Sequence, residues 1–276
     1  MDDMGAFREA VLAWAARDAA AGERAAAGRT AGRAVMSDFV AGDPGGPARE
    51  LAARLPVRTV VLLEGLSDVA AVDALAERRG RDLAAEGVCV LPIGGAMSVG
   101  RFARLLGPSG LDLRLVGLCD ERERDYYARA LAGAGEQGRT AGLSGAGEQG
   151  RTAGLSGAVE QGRAAGLSGA GEQGRAKEGA GSGEQGFFVC AADLEDELIR
   201  ALGVTRVTEL VRAEGEERPL RTFLRQPAQQ GRPPHLQLRR FFGTKKGRKI
   251  RYGRVLVEAL DPDRVPAPLE RLFAGL

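Results

Sequence analysis

Two apolar runs of this chain end on acids: Thr59-Val60-Val61-Leu62-Leu63-Glu64-Gly65 and Leu113-Arg114-Leu115-Val116-Gly117-Leu118-Cys119-Asp120. Each runs straight into a charged, helix-like stretch. Ligands of open α/β sheets bind outside the carboxyl ends of the strands, so Glu64 and Asp120 converge there if their strands are neighbours. Carboxylates brought together repel each other, and a divalent cation is the usual means of keeping both ionised near neutral pH. Such a site points to phosphodiester chemistry on Mg²⁺ or Mn²⁺.

Each acid has to be weighed against a structural duty. Ser67 is a natural helix N-cap, and Asp68 in the first turn complements the helix dipole. Glu64 stands at a strand end beside a glycine, before the helix starts, and has no capping duty; it is the stronger functional candidate. Asp120-Glu121-Arg122-Glu123 fits a capping box as well as it fits a metal site, so its weight comes from combination with Glu64. Asp193, Glu195, Asp196 and Glu197 open a later helix, where a third acid would arrive or the helix dipole would simply be balanced.

Three further groups bear on phosphate chemistry. Gly94-Gly95-Ala96-Met97-Ser98 lies between a strand and a helix, where the backbone at Gly94, Gly95 and Ser98 could take a phosphate. No Gly-x-x-x-x-Gly-Lys-[Ser/Thr] is present, so no nucleotide site is recognised and a P-loop ATPase is disfavoured. From Arg218 to Arg254 there are twelve Lys or Arg and no Asp or Glu, although the whole chain has a net charge of only +2. Phe223, Phe241, Phe242 and Tyr252 are interleaved with these cations, a composition suited to a nucleic-acid backbone, with Arg239, Arg240, Lys245, Lys246, Arg248 and Arg251 as DNA-binding candidates. The single histidine, His235, argues against histidine acid–base catalysis and reads as structural.

The elements that must position these groups alternate. Residues 59–63, 87–92 and 113–119 read as strands, with helices at 68–79 and 97–106 between them, which predicts a mainly parallel sheet in an α/β fold. Phe187-Phe188-Val189-Cys190 reads as a fourth buried strand, leading into an amphipathic helix, Asp193 to Leu202, closed by Gly203. Residues 1–55 read as an Ala-rich helix and a Gly/Pro linker. Residues 204–276 read as a basic helical C-terminal region, a compact appendage with helices near 205–214, 235–242, 248–260 and 267–274.

A twelve-residue unit starting Gly133-Ala134-Gly135-Glu136-Gln137-Gly138 recurs from Gly145, from Gly157 and, degraded, from Gly169. With one leucine per unit there is little apolar area to set against ordering entropy, so 133–185 is expected to be a disordered insertion whose deletion between 134 and 184 leaves the melting temperature nearly unchanged. The 276 residues can bury a substantial core. No uncharged apolar run approaches the ~20 residues of a membrane span, and Cys89, Cys119 and Cys190 lack paired spacing, which together predict a cytoplasmic protein with buried thiols.

Strand-Glu-Gly-x-Ser-Asp, then Gly-Gly-x-x-Ser-Val, then a strand ending on Asp120 resembles the Toprim domain of topoisomerases, bacterial primases and OLD-type nucleases. The chain is most similar to the OLD-like Toprim nucleotidyl transferase/hydrolase proteins of high-GC bacteria, in which an Asp-Leu-Glu-Asp-Glu-Leu-Ile segment also follows an acidic strand end. The likeness covers about 57–131 and 186–203, and more loosely the tail. It implies a compact four-stranded parallel sheet flanked by helices that holds one or two Mg²⁺. Glu64 matches the first-strand glutamate and Asp120 the first acid of an Asp-x-Asp pair.

Position 122 is Arg where that pair has its second acid, so Glu121 or Glu123 must substitute or the ligand is missing. Asp193 or Glu195 matches a later acid, and Lys249 a lysine near the scissile phosphate. The expected activity is that of a Mg²⁺-dependent nuclease or nucleotidyl transferase on DNA, with Glu64, Asp120 and Lys249 catalytic and with Glu64, Asp120, Glu121, Glu123, Asp193 and Glu195 as candidate metal ligands. The alternatives are a catalytically degenerate Toprim module that binds DNA or a partner without cleaving, and a subunit working with a separate ATPase. The sequence sets no oligomeric state.

Overall fold

A computed structural model of the chain describes residues 3–30, 43, 45–143 and 186–276. The elements in order are α1 (Asp3–Thr30), α2 (Gly46–Arg54), β1 (Thr59–Leu63), α3 (Leu66–Arg78), β2 (Val88–Pro92), α4 (Val99–Leu106), β3 (Arg114–Asp120), α5 (Arg124–Leu143), β4 (Gly186–Cys190) and α6 (Leu194–Leu202). After these come α7 (Val204–Ala213), α8 (Glu217–Leu224), α9 (Pro234–Phe242), α10 (Arg248–Glu258) and α11 (Ala267–Ala274). The strands form one parallel sheet in the order β2-β1-β3-β4.

Period-two alternation explains why the strands are apolar throughout. Val61, Leu63, Val88, Val90, Val116 and Leu118 face one cluster, and Val60, Leu62, Cys89, Leu91, Leu115 and Cys119 face the other. Both sheet faces are covered, as parallel sheets require. The first cluster continues into α3, α6 and the C-terminal helices, with Tyr252, Leu256, Leu269 and Phe273 in the same body of apolar contacts as Val61. The second continues into α1, α2, α4 and α5 through Phe7, Trp14, Phe102 and Tyr127.

The tail is therefore no appendage; its apolar residues complete one face of the sheet. Arg78 on α3 donates to the carbonyls of Val257 (2.6 Å) and Leu260 (2.8 Å), satisfying the open C-terminal end of α10. Midway along α10, Gly253 sits so close to α3 that a Cβ there would overlap the Ser67 carbonyl oxygen. These contacts fix α10, and with it Lys249, against the strand ends.

Three expectations need correction. The linker before residue 55 contains a helix, α2, started by Pro47 in its first turn. β4 is an edge strand whose side chains are half-buried apart from Cys190, rather than a fully buried strand. Helix α5 runs through most of the first repeat copy to Leu143, and the rest of the expected disordered insertion lies outside the described residues. All three cysteines are buried, and no helix among the described residues is long and apolar enough to cross a membrane.

Candidate metal centre

β1 and β3 are neighbours, and Leu62 lies level with Gly117, so Glu64 and Asp120 leave the sheet within about one residue of the same level. Glu123 follows from the short 3₁₀ turn Glu121–Glu123 that links β3 to α5. One carboxylate oxygen from each of Glu64, Asp120 and Glu123 lies within 4.8 Å of the other two. Mg²⁺ holds oxygens at about 2.1 Å, so ligands across an ion stand roughly 4 Å apart; an exposed glutamate such as Glu64 covers the difference by side-chain adjustment. Hard oxygen donors and a negative field are what such an ion needs, and the residues fit it.

The field is visible in the acidities. Asp120 is pushed up to about 7, first by burial and then by Asp193, Glu123 and Glu64. Glu123 is raised by burial and by Glu64, against a backbone hydrogen bond from Asp120 that lowers it. Carboxylates crowded enough to resist ionisation are stabilised as anions by a cation.

The strand-end acids open onto a cleft of about 470 Å³ lined also by Asp68, Asp193, Glu195, Arg239, Lys249 and Ile250. Asp68, buried at the start of α3, accepts the Gly65 backbone N–H at 3.0 Å and is pushed up to about 7 by burial and by Glu195. It performs the capping that the sequence assigns to Ser67; the cap position is Gly65. Sequence reasoning left Asp68 out of the site, although an acid one helical turn after Glu64 was the available signal.

Of the other metal candidates, none joins the cluster of three. Glu121 is exposed and pairs with Arg124 at 3.4 Å. Asp193 caps α6 by accepting the Asp196 N–H at 2.9 Å and holds Arg239 through two bonds of 2.7 Å. Glu195, only 2% exposed, pairs with Lys249 at 3.0 Å. Asp193 and Glu195 thus line the same cleft, each paired with a cation, and Asp193 stands near enough to Asp120 to be the leading charge that raises it.

The glycine loop does not present a phosphate cradle. The N–H groups of Gly94 and Gly95 both donate to the Glu64 carbonyl at 3.1 Å, and the Ser98 N–H donates to Gly95 at 3.0 Å. Positive φ at both glycines allows the chain to fold back this way, and the loop braces Glu64 instead.

The basic segment is partly spent inside the fold. Arg248 is 8% exposed, lies flat over Phe241 at 4.0 Å and binds Glu216 at 2.7 and 3.2 Å, so it is a structural ion pair and not a DNA contact. Arg251 leans on Glu214 (3.3 Å) and Glu216 (3.6 Å), and Arg254 binds Glu77 through two bonds of 2.7 Å. Arg240, Lys245 and Lys246 are exposed and make no ion pair within 4.0 Å among the described residues.

With this geometry in hand, residues 57–121 match the family model described as "Overcoming lysogenization defect protein-like, TOPRIM domain". Among solved structures, the C-terminal region of the Xanthomonas campestris pv. campestris OLD protein aligns at 22% identity and a TM-score of 0.47, covering 79% of this chain and 93% of that one. The C-terminal region of the Burkholderia pseudomallei OLD protein aligns at 19% identity and a TM-score of 0.46, covering 79% and 98%. Comparison with curated proteins gave no match. The segment that carries Glu64 and Asp120 accordingly resembles the OLD-like TOPRIM domain, as its strand-end acids led one to expect.

Proposed function

We propose that this chain is a Mg²⁺-dependent phosphodiesterase of the Toprim type that acts on DNA, as a nuclease or a related nucleotidyl transferase. The observation that carries the reading is the convergence of Glu64, Asp120 and Glu123 within 4.8 Å at the end of a parallel sheet. An ion held there supplies Lewis-acid polarisation of the phosphate and an activated water.

The cleft also supplies positive charge. Lys249 occupies the first turn of α10, where the helix dipole adds to its own charge, and Arg239 lines the same cleft. A phosphate in the cleft would meet the strand-end carboxylates together with the cations of Arg239 and Lys249. Lys249 would offset the charge that develops on the phosphate, while Arg240, Lys245 and Lys246 hold the flanking backbone without reading sequence.

The test is cleavage of plasmid DNA with and without Mg²⁺ by the native chain and by Glu64→Ala and Asp120→Ala. Loss of at least about 100-fold in each variant is expected. Undiminished cleavage in both would remove the mechanism. Arg122, exposed where an Asp-x-Asp pair has an acid, favours a second reading, a module that binds DNA without cutting it. Salt-sensitive DNA binding with no Mg²⁺ binding by calorimetry would select that reading.

A further inference from the structure

Buried polar groups need partners, and a few in this chain have none supplied by the fold. Several buried oxygens that make no well-directed hydrogen bond are still held by charge or by a neighbour: Glu195 pairs with Lys249, Asp196 with Arg200, and Tyr252 with Arg251. Among the described residues this leaves Glu123 Oε2 (its carboxylate is reached by the Asp120 N–H), the Tyr127 hydroxyl and Gln229 Oε1. The first two belong together. Glu123 ends the 3₁₀ turn that leads into α5 and Tyr127 lies four residues on, in the first turn of that helix, with Glu123 the leading charge acting on its phenol.

Tyr127 is 1% exposed, its ring packed at 4.9 Å from Phe187 against the sheet. Burial and the charges of Glu123, Glu64 and Asp120 hold its phenol firmly in the protonated form, which makes it a donor. A phenylalanine would fill the same space without the cost of burying an unsatisfied hydroxyl. The hydroxyl therefore has to be accounted for by something other than packing.

We infer that Tyr127 is a positioning residue for the metal centre: its hydroxyl donates to Glu123 Oε2, directly or through one water, and turns the other carboxylate oxygen toward the cation. This rests on the metal-site reading above. A ligating carboxylate that is itself hydrogen-bonded keeps its orientation, and losing such a partner typically costs 10–100-fold in metal affinity. The Tyr127 hydroxyl and Glu123 Oε2 would then satisfy each other.

The experiment is Mn²⁺ titration of the full chain by calorimetry, with thermal unfolding in chelator, for the native protein, Tyr127→Phe, Glu123→Gln and the double variant. Tyr127→Phe should bind Mn²⁺ about 10-fold more weakly while its metal-free melting temperature is unchanged or higher. In the Glu123→Gln background the same change should cost nothing further, because the two residues act as a unit. Native-like Mn²⁺ affinity in Tyr127→Phe, a lower metal-free melting temperature, or an undiminished effect in the Glu123→Gln background would each overturn the inference. Absence of Mn²⁺ binding by the native chain would remove the metal centre itself, and this inference with it.

Discussion

At the scale of single residues, the cleft trades stability for ionised acids. Asp120 and Asp68 both titrate near 7, far above the ordinary carboxyl range near 4. Between those values the native chain holds protons that the unfolded chain has released. Their contribution to stability is therefore greatest at low pH and is lost as pH rises through about 7. Unfolding in chelator should show Asp68→Asn melting higher than the native chain at pH 8 and by a much smaller margin at pH 5. The asparagine oxygen can still accept the Gly65 N–H while carrying no buried charge, and each kcal/mol gained is worth roughly 2–4 °C in a chain of this size. A melting temperature that falls equally at both pH values would show that the carboxylate is needed as an anion. Cation affinity should move the opposite way, strengthening from pH 6 to pH 8 as Asp120 loses its proton, which calorimetry at the two pH values would measure.

At the scale of elements, the strands and the acids at their ends were legible because burial on both faces demands continuous Val and Leu runs, and because Glu64 and Asp120 interrupt those runs at once. The short helices α2 and α8 were not. Each starts among Gly, Pro or charged residues and buries only one or two side chains, so its periodicity is faint. Nor could sequence show what α10 does. Its seat depends on Gly253 meeting the Ser67 carbonyl, two residues far apart in the chain. Gly253→Ala should cost about 1–3 kcal/mol by overpacking, read from denaturant unfolding. It should also depress DNA cleavage by moving Lys249, while Mn²⁺ affinity at Glu64, Asp120 and Glu123 stays within a few-fold. Loss of Mn²⁺ binding instead would mean that α10 shapes the metal centre as well.

At the scale of the whole molecule, charge that is segregated along the sequence is mixed in space. Arg239, Arg248, Lys249 and Arg254 meet acids at Asp193, Glu216, Glu195 and Glu77, partners up to 177 residues away that no local pattern announces. The twelve-cation run therefore overstates the positive surface. Replacing Arg240 and Lys246 by Gln should each lower the log–log salt slope of DNA binding by roughly 0.9. Arg248→Ala should instead destabilise the fold by about 1–3 kcal/mol, since Glu216 would keep only the longer contact with Arg251 and the packing over Phe241 would be lost. A slope that is flat in the first pair and steep in the second would reverse these assignments.

The order in which the chain visits the cleft has a practical outcome. Glu64, Asp120 and Glu123 all precede the repeats, whereas Asp193, Glu195, Arg239 and Lys249 all come after them, and the two groups meet across the β3–β4 pairing. A break within 144–185 would divide the polypeptide into one half able to hold the ion and another able to hold the phosphate. Co-expressed as separate chains, the halves should reassemble through that ladder and recover cleavage that neither shows alone.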